Sequence, residues 1–251
     1  MKYIDIDTLK SIDTAAFRAV RPFPWINPQG FLTDEGLAEL TSNMPDISLF
    51  ESTFGYVRKN NQAKHRRYTL EYDDGLDISP AWEAFIAELR SPEYRQFVNE
   101  MMGTKQISLR MHWHYAPTGC DVSPHCDSQV KLGSHIFYMN TRDEWDSAWG
   151  GQTVILDDHG RFPSDSAPAF DDFDQEWVAE TMDNHSVIFG RRGNSWHGVR
   201  TINAPEGAMR KIFILVYEDA RPLKLLRKRM KRLLTGKSTD IEAERLRKNW
   251  V

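Results

Sequence analysis

The sequence predicts an α+β fold whose core is mainly β. Helix signals dominate the first hundred residues, whereas short runs of aromatic and β-branched residues recur from Ile107 to Tyr217. Beyond Tyr217 the chain is basic and has the spacing of an amphipathic helix. We therefore expect residues 1–105 to form a helical or mixed extension packed on the core, residues 106–219 to form the core, and residues 220–251 to form a basic C-terminal helix.

Capping residues predict three helices in the N-terminal segment. Thr33 precedes two acidic residues and starts a helix that runs to about Met44. Ser79, which is followed by proline, starts a second helix that ends near Arg90, and Ser91 starts a third. The second helix has one apolar face suited to packing against a sheet. That face consists of Trp82, Phe85, Ile86 and Leu89.

Strands are predicted from the runs ISLRMHWHY, SHIFYMN, QTVIL, SVIFG and KIFILVY. Gly, Pro, Asn and Asp separate these runs and no long helical pattern intervenes, which indicates antiparallel sheets closed as a sandwich or barrel. An acidic insertion at about 157–184 interrupts the series. Because so many carboxylates cannot be buried unpaired, we expect a surface excursion that is either a solvated loop or a lid or docking site.

Composition limits the functional classes. The chain has 251 residues, of which 40% are hydrophobic and 27% charged, so it can bury a sizeable core. A formal net charge of -4 argues against a nucleic-acid-binding protein. No apolar stretch approaches the roughly 20 residues that cross a bilayer, and acidic residues lie where a signal peptide would be apolar. We expect a cytoplasmic protein in which Cys120 and Cys126 are free thiols.

Two basic segments are candidates for contacts with anions. The C-terminal segment RPLKLLRKRMKRLLTGK is expected to cap the core and pair with the acidic insertion, with peripheral membrane contact or an anionic partner as the alternative. The segment from Lys64 to Arg67, together with the run HWHY, is expected to line a substrate cleft. Such a cleft suits an anionic or sugar-phosphate-bearing small molecule.

His125 and Asp127 are candidate metal ligands. On a strand they point to the same side while Cys126 points away, because side chains alternate with period two. A third ligand is required, and His197 follows a turn just beyond an apolar strand that could return across the sheet. Two histidines and one carboxylate form the facial triad of non-haem Fe(II) oxygenases. Catalytic zinc also takes three protein ligands, so a zinc hydrolase remains an alternative.

Five motifs in order resemble those of the Fe(II)/2-oxoglutarate-dependent dioxygenases, in particular the prolyl-hydroxylase-like branch. They are HCD, IFYMN, WGGQTVIL, SWHGVR and GAMRKIFILVY, and they span about Ile107 to Tyr217. The resemblance implies that the core is a double-stranded β-helix, which is a jelly-roll or cupin-like arrangement. It also implies Fe(II), 2-oxoglutarate as co-substrate, and O₂.

The resemblance assigns roles residue by residue. It implies three iron ligands: His125, Asp127 and His197. It implies that Arg210, rather than the competing Arg200, pairs with the remote carboxylate of 2-oxoglutarate, for which a planar and permanently charged side chain is suited. Tyr138 and Tyr115 match tyrosines that lie near the co-substrate in that branch, and for each the alternative is an aromatic core residue.

The remaining histidines are given lesser roles. His112 and His114 form a His-X-His pattern but lack the nearby glutamate of cupin metal sites, so we expect them in the core or the substrate cleft. His135 shares a strand face with Phe137, opposite to Tyr138, and is expected to be a core histidine. Three others, in polar surroundings, receive no role: His65, His159 and His185.

The function implied by the resemblance is hydroxylation of a C–H bond, with conversion of 2-oxoglutarate and O₂ to succinate and CO₂. A small and anionic molecule is the preferred substrate, and a peptide or protein side chain is the alternative. A non-catalytic binding module on the same scaffold is a third alternative, although such a module need not keep three spaced ligands and an anchoring arginine.

Overall fold

The computed structural model describes residues 1–53 and 67–220. Most of the predicted basic cleft segment, from Lys64 to Arg66, and all but the first residue of the predicted C-terminal helix lie outside the described residues. Those two predictions therefore stay predictions. No helix within the described ranges is long and apolar enough to cross a membrane.

An N-terminal region that contains the helices is followed by a region that consists mainly of strands. The helices are α1 (Ile6–Ser11), α2 (Thr14–Ala19), α3 (Asp34–Ser42), α4 (Pro80–Leu89) and α5 (Pro92–Met102). The strands are β1 (Trp25–Ile26), β2 (Glu51–Ser52), β3 (Tyr68–Glu71), β4 (Ile107–Pro117), β5 (Val122–His125), β6 (Lys131–Tyr138), β7 (Thr153–Asp157), β8 (Gln175–Val178), β9 (Ser186–Gly190), β10 (His197–Val199) and β11 (Met209–Asp219).

Side-chain caps start the three predicted helices where the sequence places them. Thr33 Oγ1 accepts a hydrogen bond from the Gly36 amide at 3.0 Å at the start of α3. Ser79 and Ser91 accept from amides in the first turns of α4 and α5, and a proline follows each serine. The two short helices α1 and α2, each capped by an aspartate, were not predicted.

The strands form two antiparallel sheets that face each other. The seven-stranded sheet has the order β1-β9-β6-β11-β4-β3-β2, and the four-stranded sheet has the order β5-β10-β7-β8. The alternation of strands between two sheets confirms the predicted double-stranded β-helix. The N-terminal region contributes β1, β2 and β3 to the larger sheet, so residues 1–105 extend the sheet as well as covering it.

The larger sheet separates an aromatic core from a cavity between the sheets. Its outer face packs against α4, where Trp82 contacts Trp113 and Phe213 at ring-centroid distances of 5.0 Å each. All three side chains are fully buried. The predicted apolar face of α4 is confirmed, since its four residues are buried in this core. The inner face of the sheet lines the cavity described below.

The acidic insertion is more structured than the predicted loop. Residues 157–184 contain β8, which pairs antiparallel with β7 and forms the edge of the smaller sheet. Ala179 and Met182, which follow β8, are buried. The strand was missed because its sequence, QEWV, is short and half polar, and edge strands with one solvated face carry little pattern.

We predict that Trp82→Ala lowers the free energy of unfolding by about 3–5 kcal/mol, because it removes a fully buried indole from the α4–sheet interface. Urea unfolding monitored by circular dichroism measures the change. Val178→Ala is the control, since Val178 is 52% exposed and its substitution should change stability by less than about 0.5 kcal/mol. A loss below about 1 kcal/mol for Trp82→Ala would contradict the role of α4 in the core.

Candidate functional site

The cavity between the sheets brings together the three predicted metal ligands. β10 pairs with β5 in the smaller sheet, and the register places His197 opposite His125. Asp127 follows two residues after His125, just past the end of β5. One potential ligand atom of each residue lies within 4.8 Å of the others, and all three side chains are buried. This set, His125, Asp127 and His197, is the candidate metal site.

Backbone carbonyls set the orientation of both imidazoles. His125 Nδ1 lies 3.0 Å from the carbonyl oxygen of Ser123, and His197 Nδ1 lies 2.9 Å from that of Ser195. A carbonyl only accepts, so each Nδ1 carries the proton and each Nε2 presents its lone pair as a ligand. This arrangement is typical of metal-binding histidines. The donor set therefore fits a divalent transition metal.

Lys131 holds the carboxylate of the site. Its ammonium Nζ donates to Asp127 Oδ1 at 2.7 Å, and both side chains are buried. Burial acts to raise the pKa of Asp127, but the Lys131 ammonium and then the two neighbouring histidines outweigh it, so the pKa lies well below the ordinary value for aspartate. Asp127 is therefore an anionic ligand at neutral pH, with one oxygen committed to Lys131.

Arg210 lies on the inner face of β11 and lines the same cavity. It is buried, and its guanidinium carbon lies 5.6 Å from the centroid of the Tyr138 ring. Burial lowers its pKa, and Tyr138 opposes this effect; an arginine remains charged under these conditions. Nε of Arg210 has no hydrogen-bond partner among the described residues. A buried, charged donor without a partner fits a carboxylate ligand at this point.

Gly151 provides the space that Arg210 occupies. It has φ +85°, and a Cβ at this position would lie 2.8 Å from Cδ of Arg210. Any larger residue would therefore displace the arginine as well as strain the backbone. This contact gives a physical reason for the second glycine of the WGGQ stretch.

Tyr138 lies next to Arg210 in the described structure. Its hydroxyl donates to Thr153 Oγ1 at 2.7 Å, and the ring is buried among apolar residues between the sheets. Burial raises the pKa of Tyr138, against the effect of the Arg210 charge. The ring lies beside Arg210, and the predicted contact of the Tyr138 hydroxyl with a co-substrate stays a prediction.

Tyr115 is not part of the cavity, which corrects the expectation for this residue. It points to the helical side of β4, stacks on Phe50 at a ring-centroid distance of 4.2 Å, and donates to the carbonyl oxygen of Pro45 at 2.9 Å. The physical reason is strand alternation, which places Tyr115 on the same face as the buried Trp113. His114, one residue earlier, occupies the cavity face instead.

His112 and His114 lie side by side in the cavity wall. Their ring centroids are 4.5 Å apart, and both side chains are buried. Burial, followed by the charges of Arg110, Lys131 and Arg67, lowers the pKa of His112 well below its ordinary value. His112 is therefore neutral at physiological pH. The cleft alternative for these histidines agrees with their position.

The other histidines and the competing arginine lie elsewhere. His135 is a core residue, as expected, with Nδ1 3.0 Å from the Tyr94 hydroxyl and Nε2 3.0 Å from Ser186 Oγ. Arg200 is exposed and pairs with Glu176 at 2.5 Å, so it does not face the cavity. His159 and His185 are outside the cavity lining, and His65 lies outside the described residues.

Sequence reasoning missed two cavity cations, Lys131 and Arg110. Lys131 lies four residues after Asp127, but a turn separates them. The spacing is therefore not that of a helix or a strand and does not predict a contact. Arg110 could have been found from alternation along β4, because it shares its face with His112 and His114.

The cavity between the sheets has both polar and apolar walls. The space between them, including the part open to solvent, is about 670 Å³. Its lining combines the candidate metal site and Arg210 with apolar side chains of β11, namely Ile212, Ile214 and Val216. A ligand bound between the candidate metal site and Arg210 would therefore lie along an apolar wall.

We predict that Lys131→Met lowers the free energy of unfolding of the metal-free protein by about 3–5 kcal/mol at pH 7, because it leaves a buried carboxylate unpaired. Chemical denaturation in the presence of a chelator measures this. Lys211→Met is the matched control: its 2.7 Å pair with Glu144 is partly exposed and should contribute no more than about 1 kcal/mol. Equal effects of the two substitutions would contradict the structural role of Lys131.

Comparison with known proteins supports the fold. No model of a known protein family matches the sequence, and no curated protein sequence matches it significantly. Among solved structures, a Pseudomonas putida prolyl-4-hydroxylase matches with a TM-score of 0.56 and 15% identity, over 82% of this chain and 97% of that one. An oxidoreductase of the 2OG-Fe(II) oxygenase family from Burkholderia pseudomallei matches with a TM-score of 0.53 and 15% identity, over 83% and 92%.

A third similar structure contains ligands. HygX from Streptomyces hygroscopicus, with nickel, 2-oxoglutarate and hygromycin B bound, matches with a TM-score of 0.53 and 10% identity, over 77% of this chain and 82% of that one. These identities establish similarity of fold. The chain has the double-stranded β-helix fold of the 2-oxoglutarate–Fe(II) oxygenases, with a His-Asp-His set in the cavity between its sheets.

Proposed function

We propose that the protein is an Fe(II)/2-oxoglutarate-dependent oxygenase that hydroxylates a C–H bond of a small molecule. The observation that carries the proposal is the placement of the candidate metal site and Arg210 in one cavity. A zinc hydrolase would use the same three ligands. It would leave a buried arginine with an unpaired Nε, beside Tyr138, without a function.

Fe(II) held by His125, Asp127 and His197, together with 2-oxoglutarate and O₂, would supply the oxidising chemistry: one oxygen atom enters the substrate and the other enters succinate, with release of CO₂. The protein's contribution is to position the reactants and exclude water.

The residues of the cavity have separate tasks in this proposal. Ser123 and Ser195 carbonyls fix the imidazoles of the two histidines, and Lys131 fixes one oxygen of Asp127. Arg210 binds the remote carboxylate of 2-oxoglutarate through its planar fork of N–H donors. The apolar side chains of β11 reduce the dielectric constant around that ion pair, which strengthens it.

A small-molecule substrate is supported by the cavity itself. The candidate metal site and Arg210 lie among buried side chains between the two sheets, which suits a compact ligand. The similar structures do not select a substrate class, since one is called a prolyl-4-hydroxylase and another holds hygromycin B. Fold similarity leaves the substrate open, so the cavity is the better guide.

We predict that the protein forms succinate from 2-oxoglutarate under air with added Fe(II), because uncoupled turnover needs no known substrate. Asp127→Ala should abolish succinate formation, since it removes the anionic ligand. Arg210→Ala should raise the 2-oxoglutarate concentration for half-maximal activity at least about tenfold, with activity restored at high 2-oxoglutarate. Succinate quantified by mass spectrometry provides the measurement.

Arg200→Ala is the matched control for Arg210→Ala, because Arg200 is exposed and paired with Glu176. Its half-maximal 2-oxoglutarate concentration should equal that of the parent. Succinate formation that persists in Asp127→Ala, or an equal effect of the two arginine substitutions, would contradict the proposed function.

A further inference from the structure

The backbone of Asp127 is placed differently from the backbones of the two histidines in the candidate metal site. His125 is the last residue of β5 and His197 is the first residue of β10, and the two pair across the smaller sheet. Asp127 lies in the loop between β5 and β6. A loop is not held by a ladder of strand hydrogen bonds, so other contacts have to fix its backbone if the carboxylate is to face the histidines.

Arg191 makes a contact of this kind. Its Nε donates to the backbone carbonyl oxygen of Asp127 at 2.7 Å, and the bond is partly buried. The two residues are 64 positions apart in the chain, so the bond is a tertiary contact and not part of a local turn. Because its donor is a guanidinium, the hydrogen bond is charge-assisted and stronger than one between neutral groups.

The larger sheet fixes the backbone of Arg191. The residue follows β9 directly, and its amide donates to the carbonyl oxygen of Leu132, in β6, at 2.8 Å. This bond continues the pairing of β9 with β6 beyond Gly190, which lies opposite Gly133. The side chain of Arg191 therefore extends from a fixed point of the sheet to the loop that carries Asp127.

One loop contacts two of the three candidate ligands. Residues 191–196 connect β9 with β10, and His197 follows them. At the start of the loop Arg191 donates to the Asp127 carbonyl, and near its end the Ser195 carbonyl lies 2.9 Å from Nδ1 of His197. The loop therefore sets the position of the carboxylate ligand relative to an imidazole ligand.

Asp127 is held at two points. Lys131 donates to its carboxylate oxygen Oδ1, and Arg191 donates to its carbonyl oxygen. With both the main chain and the side chain fixed, the carboxylate keeps its direction before a metal binds. A site that is ordered in advance loses less conformational entropy on binding. The metal affinity should therefore depend on Arg191, although its hydrogen bond goes to the backbone.

We infer that Arg191 is a positioning residue of the candidate metal site: it orders the peptide of Asp127 and thereby raises the affinity of the site for a divalent metal. The inference rests on the metal site of the proposed function and adds a residue that acts through one of the ligands. Substitution of residues that orient metal ligands typically lowers metal affinity by about 10–100-fold.

The test is calorimetric titration of the full-length, chelator-treated protein with Co²⁺, a divalent ion that binds nitrogen and oxygen ligand sets at least as tightly as Fe²⁺. Arg191→Met should raise the dissociation constant about tenfold or more, because the Asp127 peptide loses its donor. Arg192→Met is the matched control. Arg192 is exposed and donates to the carbonyl of Arg18 at 3.0 Å, so its substitution should change the constant by less than about twofold.

A conservative variant separates loss of the hydrogen bond from loss of packing. Arg191→Lys keeps a charged donor but lacks the planar fork, so its dissociation constant should lie between those of the parent and Arg191→Met, at least about threefold above the parent. Circular dichroism of the chelator-treated variants checks that each is folded at the temperature of the titration. If Arg191→Met does not fold, the result for Arg191→Lys decides alone.

Three results would overturn the inference: a Co²⁺ affinity in Arg191→Met, or in Arg191→Lys if it decides alone, that equals the parent's; equal losses in Arg191→Met and Arg191→Lys, which would assign the effect to packing; or an equal loss in Arg192→Met. A parent protein that binds no Co²⁺ would reject the candidate metal site, and the proposed function with it. That failure differs from a parent that binds Co²⁺ with an affinity independent of Arg191.

Discussion

The antiparallel pairing of β5 with β10 is the constraint on which the site depends. It places His197 opposite His125, and the chain continues from β5 directly to Asp127. A one-residue slip in this register would turn one histidine out of the cavity, since neighbouring side chains point to opposite faces. The bonds from each Nδ1 to a backbone carbonyl two residues earlier then turn both Nε2 atoms into ligand positions.

The larger sheet separates two environments, which are the aromatic core on its outer face and the cavity on its inner face. Along β4, Trp113 and Tyr115 enter the aromatic core under the helices, while His112 and His114 face the cavity. The packing of α4 on the outer face holds the sheet in place. The inner face can therefore keep buried cations such as Lys131 and Arg210 in fixed positions.

The sequence predicted the parts of the structure that follow local rules. Serine and threonine caps located three helices. Alternation predicted that His125 and Asp127 point to one side; their ligand atoms do lie close together, although β5 ends at His125 and Asp127 follows it. For Tyr115 the family resemblance suggested a place near the co-substrate and left an aromatic core residue as the alternative; the structure agrees with the alternative, because Tyr115 shares a strand face with Trp113. The contact of Lys131 with Asp127 was not predicted, because it depends on the conformation of a turn and not on a helix or strand periodicity. The edge strand β8 carried too weak a pattern to detect.

The central claim is that His125, Asp127 and His197 act with Arg210 to hold Fe(II) and 2-oxoglutarate together. The most direct measurement is the visible absorption spectrum of the anaerobic protein after addition of Fe(II) and then 2-oxoglutarate. We predict a weak charge-transfer band that requires both additions and is absent in His197→Ala. A protein that binds Fe(II) yet shows no band at saturating 2-oxoglutarate would contradict the account and favour a zinc hydrolase or a binding module.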